Sequence, residues 1–162
     1  ALVHLTAAAP EAQALIAAAM ARADEPPEVA ARLARGDACF AWVDGAEVQS
    51  FGWVCFRDRA VGLYQYPDRP GQAFLYNFHT APAQRGRGLY PALLLAMRHA
   101  LGRAGYDRLA IDVRADNAAS LRGIVKAGFA PVGHVACATW LGRFRRPADP
   151  GAPPPLSAGA AR

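Results

Sequence analysis

Long apolar runs are missing from this chain of 162 residues. A membrane-spanning helix needs roughly 18 or more consecutive apolar residues. The longest candidate, around Leu93 to Met97, is far too short, so no membrane partner is expected. No signal-peptide pattern is present, although Ala1 is not an initiator methionine, and the expected location is the cytoplasm. Cysteine is scarce. Cys39, Cys55 and Cys137 are odd in number, far apart and set among apolar neighbours, which argues for buried reduced thiols over a disulfide framework. Cys137 also has no evident paired base, so covalent catalysis there is not expected. His4, His79, His99 and His134 show no ligand spacing, so no metal is expected. There is no internal repeat.

What remains is an ordinary globular composition, 53% hydrophobic and 19% charged. The length suits one domain, which would bury roughly 70% of its unfolded surface without needing a staple. The net charge is +5, much of it in Arg85, Arg87, Arg143, Arg145 and Arg146. Thirteen acidic residues are interspersed and no basic helix face stands out. A nucleic-acid partner is therefore not expected, and an anionic small molecule is the more economical explanation.

The first half reads as an edge strand at 2–5, helices at 10–22 and 28–34, and an antiparallel meander. Its strands are 38–43, 47–56, 61–66 and 74–80, with Asp44-Gly45 as a hairpin turn. The second half reads as a helix at 90–103, a strand at 108–113 and a helix at 117–127 stopped by Gly128. Strands at 129–136 and 138–144 follow. The strand–helix–strand unit from 74 to 113 makes its two strands parallel neighbours. The fold class is α+β, with a mixed, mostly antiparallel sheet, a central parallel strand pair and helices on both faces. Residues 1–144 form the single domain. Residues 145–162, with five prolines and little to bury, read as a disordered tail.

The stretch FLYNFHTAPAQRGRGLYPALLL, residues 74–95, carries the chemistry. It is a strand, a basic glycine turn and a helix. Glycines let the backbone come close to a ligand, and the first N–H groups of a helix lack partners and sit at the positive end of its dipole. Arg85 and Arg87 add full charges. A pyrophosphate suits such a turn. A Walker loop is absent, and the third glycine of a Rossmann fingerprint would fall at Pro91.

These residues resemble the GNAT superfamily of acyl-CoA-dependent N-acyltransferases. Thr80-Ala81-Pro82 takes the place of the family's V-x-P, and Arg85, Gly88 and Tyr90 take the places of its phosphate motif. Asn117-Ala118-Ala119-Ser120 through Lys126-Ala127-Gly128-Phe129 is similar to its second signature, N-x-x-S followed by K-x-G-F. The resemblance spans 74–130 and implies a GNAT-like sheet and an enzyme that transfers acetyl from acetyl-CoA to a primary amine. It implies main-chain contacts from Phe78 and Thr80, with His79 between them, to the pantetheine arm. Arg85, Gly86, Arg87, Gly88, Leu89 and Tyr90 would hold the pyrophosphate, and Asn117 and Ser120 would lie near the thioester. Arg122 or Lys126 would reach the adenosine phosphate. Two positions depart from the pattern. Tyr90 stands where Gly or Ala is usual and is followed by Pro91, which has no N–H to offer a phosphate. Ile124 stands where many members carry the tyrosine that protonates the leaving thiolate.

The amine must be neutral to attack. An alkylamine with pKa near 10.4 is neutral in roughly one molecule in 2,500 at pH 7, an α-amine in roughly one in seven. Strand 74–80 has no carboxylate to act as base. Asp112 is the candidate, since Asp112-Val113-Arg114-Ala115-Asp116-Asn117 is similar to the E-V-R-x-x-N stretch of ribosomal-protein N-terminal acetyltransferases. It also points opposite to Leu109, Ile111 and Val113 by strand alternation; otherwise it is a solvated or Arg-paired strand residue. For the acid, Tyr76, Tyr90 and His79 are nearby, with Tyr90 first, or else Tyr90 is a packing or adenine-side residue. The acceptor is a small-molecule amine or a peptide or protein amine, bordered by residues 20–37 and 133–139, and a homodimer is left open. Asp24, Glu25, Glu28 and Asp37 attract a cation there or form a solvated loop. The alternative function is a catalytically weak acyl-CoA-binding or regulatory domain.

Overall fold

The computed structural model describes residues 1–5, 10–56, 59–61, 64–66, 70–134, 138–140 and 143–145. Its strands are β1 (Leu2–Leu5), β2 (Ala38–Asp44), β3 (Glu47–Cys55), β4 (Arg59–Val61), β5 (Tyr64–Tyr66), β6 (Gln72–Thr80), β7 (Arg108–Ile111), β8 (Ala138–Trp140) and β9 (Arg143–Arg145). Its helices are α1 (Pro10–Arg22), α2 (Val29–Ala34), α3 (Leu89–Arg103) and α4 (Ala118–Lys126), with a 3₁₀ turn at Pro82–Gln84.

The main sheet has the order β1-β2-β3-β6-β7. All its pairs are antiparallel except β6–β7, which is parallel. Strand alternation gives two cores. On β2, Cys39 and Ala41 face one side while Ala38 and Phe40 face the other; on β6, Phe74 and Tyr76 oppose Ala73 and Leu75. Ile16 and Met20 of α1 and Val29 and Leu33 of α2 cover the first face. Leu93, Leu94, Met97 and Leu101 of α3 and Ile124 of α4 cover the second. Period-2 strands between period-3.6 helix stripes thus produce a sheet with helices on both faces. On the α1/α2 face, the Arg32 guanidinium lies between the rings of Trp53 and Tyr76, 5.2 and 5.3 Å from their centroids. The Tyr76 hydroxyl donates to Asp37 at 2.7 Å.

Three expected strands differ. Residues 61–66 do not form one strand of the meander. Arg59–Val61 instead pairs with Tyr64–Tyr66 as a separate two-stranded unit, and β6 lies directly beside β3. Residues 129–134 are not a strand; Pro131 there lacks the N–H a ladder needs. The expected strand 138–144 does not pair with 129–134; its place is taken by Ala138–Trp140 and Arg143–Arg145, which pair with each other as the short hairpin β8–β9. The expected tail lies outside the described residues beyond Arg145, as does Cys137. Cys39 and Cys55 are buried reduced thiols, and burial pushes the Cys39 thiol pKa far up. No helix among the described residues is long and apolar enough to cross a membrane, and they hold no cluster of metal-ligating side chains.

Candidate active site

The site begins with an irregularity in β6. Between the pairs Phe51–His79 and Trp53–Tyr76, β3 advances two residues while β6 advances three. The extra residue makes a bulge at Asn77-Phe78, and Asn77 takes the left-handed conformation, φ +51°. A bulge bends its strand. Correspondingly, β6 pairs with β7 only from Gln72–Arg108 to Leu75–Ile111, and beyond Leu75 the two parallel strands part.

A cavity of about 280 Å³ opens in that gap, lined by Tyr76, Asn77, Phe78, Tyr90, Ile111, Asp112, Val113, Arg114, Asn117 and Ser120. Six of the sequence-derived candidates, Tyr76, Phe78, Tyr90, Asp112, Asn117 and Ser120, therefore meet in one slot. His79, Thr80 and residues 85–89 do not line it. Backbone direction separates them. The His79 carbonyl accepts from Ser50 Oγ at 2.9 Å, and the Ala81 N–H donates to the Gln49 carbonyl at 2.9 Å, so both face β3. By alternation the main-chain groups of Phe78 and Thr80 face the opened side. The His79 ring stacks on Phe51 at 5.8 Å. Desolvation, aided by Arg85, lowers its pKa against an opposing pull from Glu25.

The glycine turn joins β6 to α3. Gly86 and Gly88 have φ of +76° and +77°, and Gly88 is the N-cap of α3. Among the described residues the N–H groups of 86 to 90 have no protein acceptor. Pro91 is the third residue of α3, where an N–H would be free anyway, so the helix loses no bond through it. Arg85 Nε donates to the Thr80 carbonyl at 3.2 Å, and Arg87 donates to the Gln84 amide oxygen. Both arginines thus brace the turn with part of their donor sets.

Tyr90 projects from the first turn of α3 across to α4. Its ring meets Phe78 edge-on, with centroids 5.3 Å apart, and its hydroxyl is 3.0 Å from Ser120 Oγ. The ring fits only because position 123 is glycine: a Cβ there would lie 2.5 Å from Tyr90 Cδ1. Phe78 fits in the same way over Gly52, whose Cβ would come within 2.2 Å of its ring. Burial raises the Tyr90 pKa, and the Ser120 bond pulls the other way. Asn117 caps α4, its Oδ1 accepting from the Ser120 N–H at 3.0 Å. Ile124, beside Gly123, is 8% exposed and belongs to the core under α3.

Asp112 follows β7 on the side opposite Leu109, Ile111 and Val113, which pack against the α3/α4 core. It therefore looks toward the face of Ala110 and Tyr76. Desolvation raises its pKa, while its own backbone N–H pulls the other way. Asn77 and Arg114 were not singled out from sequence. A lone Asn inside the aromatic run FLYNFH is the signal available for Asn77, since Asn is depleted in strands and tolerates the left-handed region.

The sequence profile of the acetyltransferase (GNAT) family matches residues 10–129. No curated protein sequence matches significantly. Among solved structures the chain is similar to aminoglycoside N-acetyltransferase AAC(6')-Iy in complex with CoA, at 18% identity and a TM-score of 0.61, covering 86% of this chain and 98% of that one. The same enzyme with the bisubstrate analogue CoA-S-monomethyl-acetylneamine gives 16% identity and a TM-score of 0.64, covering 86% and 97%. An aminoglycoside acetyltransferase from an uncultured soil metagenomic sample, in complex with sisomicin, gives 12% and 0.63, covering 86% and 94%. These likenesses concern the fold; the profile covers most of the chain, which belongs to the GNAT acetyltransferase family.

Proposed function

We propose that the protein transfers the acetyl group of acetyl-CoA to a primary amine by direct attack in a ternary complex. The observation that carries this is the slot between β6 and β7, which ends beside a turn whose N–H groups 86 to 90 are free of protein acceptors. Acetyl-CoA is a substrate here. Its pyrophosphate suits the free N–H groups at the positive end of α3. Its pantetheine amides suit the outward main chain of Phe78 and the N–H of Thr80, whose carbonyl already accepts from Arg85, and its thioester the region of Asn117, Ser120 and Tyr90. Of the earlier contacts, His79 serves only as a spacer, since its carbonyl is taken by Ser50. Leu89 contributes through its N–H.

In the reaction the amine nitrogen forms a bond to the acetyl carbon, the carbon–sulfur bond breaks, and one proton leaves nitrogen. Asp112 receives that proton, directly or through water. Its raised pKa makes it a stronger base than an ordinary surface aspartate. The acceptor is a small-molecule amine, a reading supported by the small-molecule acceptors in the related structures. The reduced, buried cysteines agree with a cytoplasmic setting.

The test is incubation with acetyl-CoA and an amine panel while free thiol is followed. Thiol release that depends on the amine is the expected result. CoA binding with no turnover on any amine would instead make this a coenzyme-binding module. Asp112→Asn is expected to lower kcat/KM about 10²-fold or more. In the wild type the rate rises with pH through the raised Asp112 pKa. In the variant that limb disappears and the optimum moves upward, toward the pKa of the free amine. An unchanged pH–rate profile would remove Asp112 from the mechanism.

A further inference from the structure

Among the described residues only two that are not glycine have positive φ, Asp24 at +57° and Asn77 at +51°. They flank a single contact. Asn77 is the bulge residue of β6 and lines the slot; its side-chain amide donates to Glu25 Oε2 at 3.0 Å. Asp24 occupies the place after α1 where glycine is usual. The chain reverses there through bonds from the Glu25 N–H to the Met20 carbonyl and from the Asp24 N–H to the Ala21 carbonyl, at 3.0 and 3.2 Å. Left-handed backbone at a non-glycine residue is uncommon, although Asp and Asn tolerate it best, and it persists where the surroundings hold it. Both irregularities flank the Glu25 carboxylate, which does not line the slot itself but is tied by its hydrogen bond to Asn77, a residue that does.

The way Glu25 is held matters as much as where it is held. Asn77 is a neutral donor, so it fixes the carboxylate without cancelling its charge. Among the described residues no Arg, Lys or His nitrogen pairs with Glu25, and its second oxygen has no partner. The neighbouring imidazole of His79 does not supply a cation, because desolvation and Arg85 lower its pKa. Glu25 is thus a part-buried carboxylate with no counter-cation among the described residues, in a chain of net charge +5. Charge along the slot is therefore divided. Arg85 and Arg87 stand at the phosphate turn; at the other end Glu25 lies beside Asn77, and Asp112 lines the slot next to Arg114, whose guanidinium is paired with Asp116.

We infer that Glu25 is a specificity-determining residue that binds a second ammonium group of the acceptor, so that the preferred substrate is a diamine or polyamine. The inference rests on the acetyl-transfer reading of the slot. One amino group loses its proton to Asp112 and attacks; the other keeps its charge and sits on the free oxygen of Glu25. A charge-assisted contact of this kind separates two-cation from one-cation acceptors by about tenfold or more.

The experiment compares kcat/KM for α,ω-diaminoalkanes of three to six carbons with the matching monoamines, in wild type and in Glu25→Gln. Calorimetric CoA binding is the control. The glutamine keeps an oxygen for Asn77, so the turn is retained. The expected result is a wild-type preference of at least tenfold for one diamine length. That preference should fall to near unity in Glu25→Gln through KM, with CoA affinity unchanged. Asn77→Gly, which relieves the backbone and frees the carboxylate, should reduce the preference in part. A wild-type ratio near one, a ratio retained in Glu25→Gln, or no diamine turnover by a protein that does acetylate monoamines would each overturn the inference, whereas CoA binding with no turnover of any amine would overturn the acetyl-transfer reading. Failure of the wild type to bind CoA would sink the acetyl-transfer reading itself.

Discussion

Gly88→Asp is expected to reduce CoA affinity by at least 10²-fold while the protein melts within a few degrees of wild type. The two halves of that result come from different forces. Gly88 caps α3 with φ +77°, and a Cβ there meets no atom within 4 Å. Folding therefore carries only the left-handed backbone cost, about 1–2 kcal/mol and at the low end for Asp. A negative charge at a helix N-terminus returns about 0.3–1 kcal/mol of it. Binding has no such compensation. The introduced carboxylate lies beside the free N–H groups of Leu89 and Tyr90 and competes for them. Two negative charges about 4 Å apart at an effective dielectric of 20 repel by about 4 kcal/mol, or about 10³-fold. Salt and side-chain movement reduce this to the lower figure. Gly88→Ala is the control, with the same backbone strain and no charge, and should lose much less affinity. Calorimetry with CoA and a thermal melt give both numbers. An affinity within threefold of wild type for the aspartate variant would rule this turn out as the phosphate site.

The turn was legible because its determinants are local. Gly86, Gly88 and the helix start at Leu89 lie within four residues, and the βαβ connection from β6 to β7 follows from chain order and handedness. Helices α1, α3 and α4 were legible for a similar reason, since a 3.6-residue stripe reports its own buried face. The Asn117 cap is equally local, yet the sequence pattern puts Asn117 inside the helix instead of at its cap. The bulge at Asn77 was not, because it depends on register across three strands and opens a gap only where β7 stops pairing at Ile111. The short β4–β5 unit was hidden too, since residues 61–66 alternate like one strand whichever partner they take. Least visible was the meeting of Tyr90 with Ser120 and Gly123. They lie 30 and 33 positions apart, and what joins them is the packing of α3 on α4. Gly123 carries no mark in the sequence that a ring will occupy the space of its missing side chain.

That meeting leads to the second large effect. Tyr90→Phe is expected to lower kcat about 10–100-fold with little change in the KM for acetyl-CoA. Phenylalanine keeps the edge contact with Phe78 and the seat on Gly123, so only the hydroxyl is lost. The size follows from the protonation energetics. Burial raises the phenol pKa, whereas an ordinary thiol lies near 8.5, so full proton transfer to the leaving thiolate is uphill. Under the proposed reaction the hydroxyl would act instead as a donor to the developing negative sulfur, and a hydrogen bond to a charged group contributes about 1.5–3 kcal/mol. Gly123→Ala reaches the same hydroxyl by another route. Its Cβ would sit 2.5 Å from the Tyr90 ring. The ring cannot retreat freely, because Phe78 beside it is already packed over Gly52. The hydroxyl should therefore leave Ser120, kcat should fall by a similar factor, and stability should drop by about 1–3 kcal/mol. The double variant decides between a shared cause and two separate ones. If both act through the Tyr90 hydroxyl, adding Gly123→Ala to Tyr90→Phe costs stability but no further kcat. Full multiplication of the two losses, or a Tyr90→Phe enzyme within twofold of wild-type kcat, would leave Tyr90 as a packing residue and the thiolate to solvent.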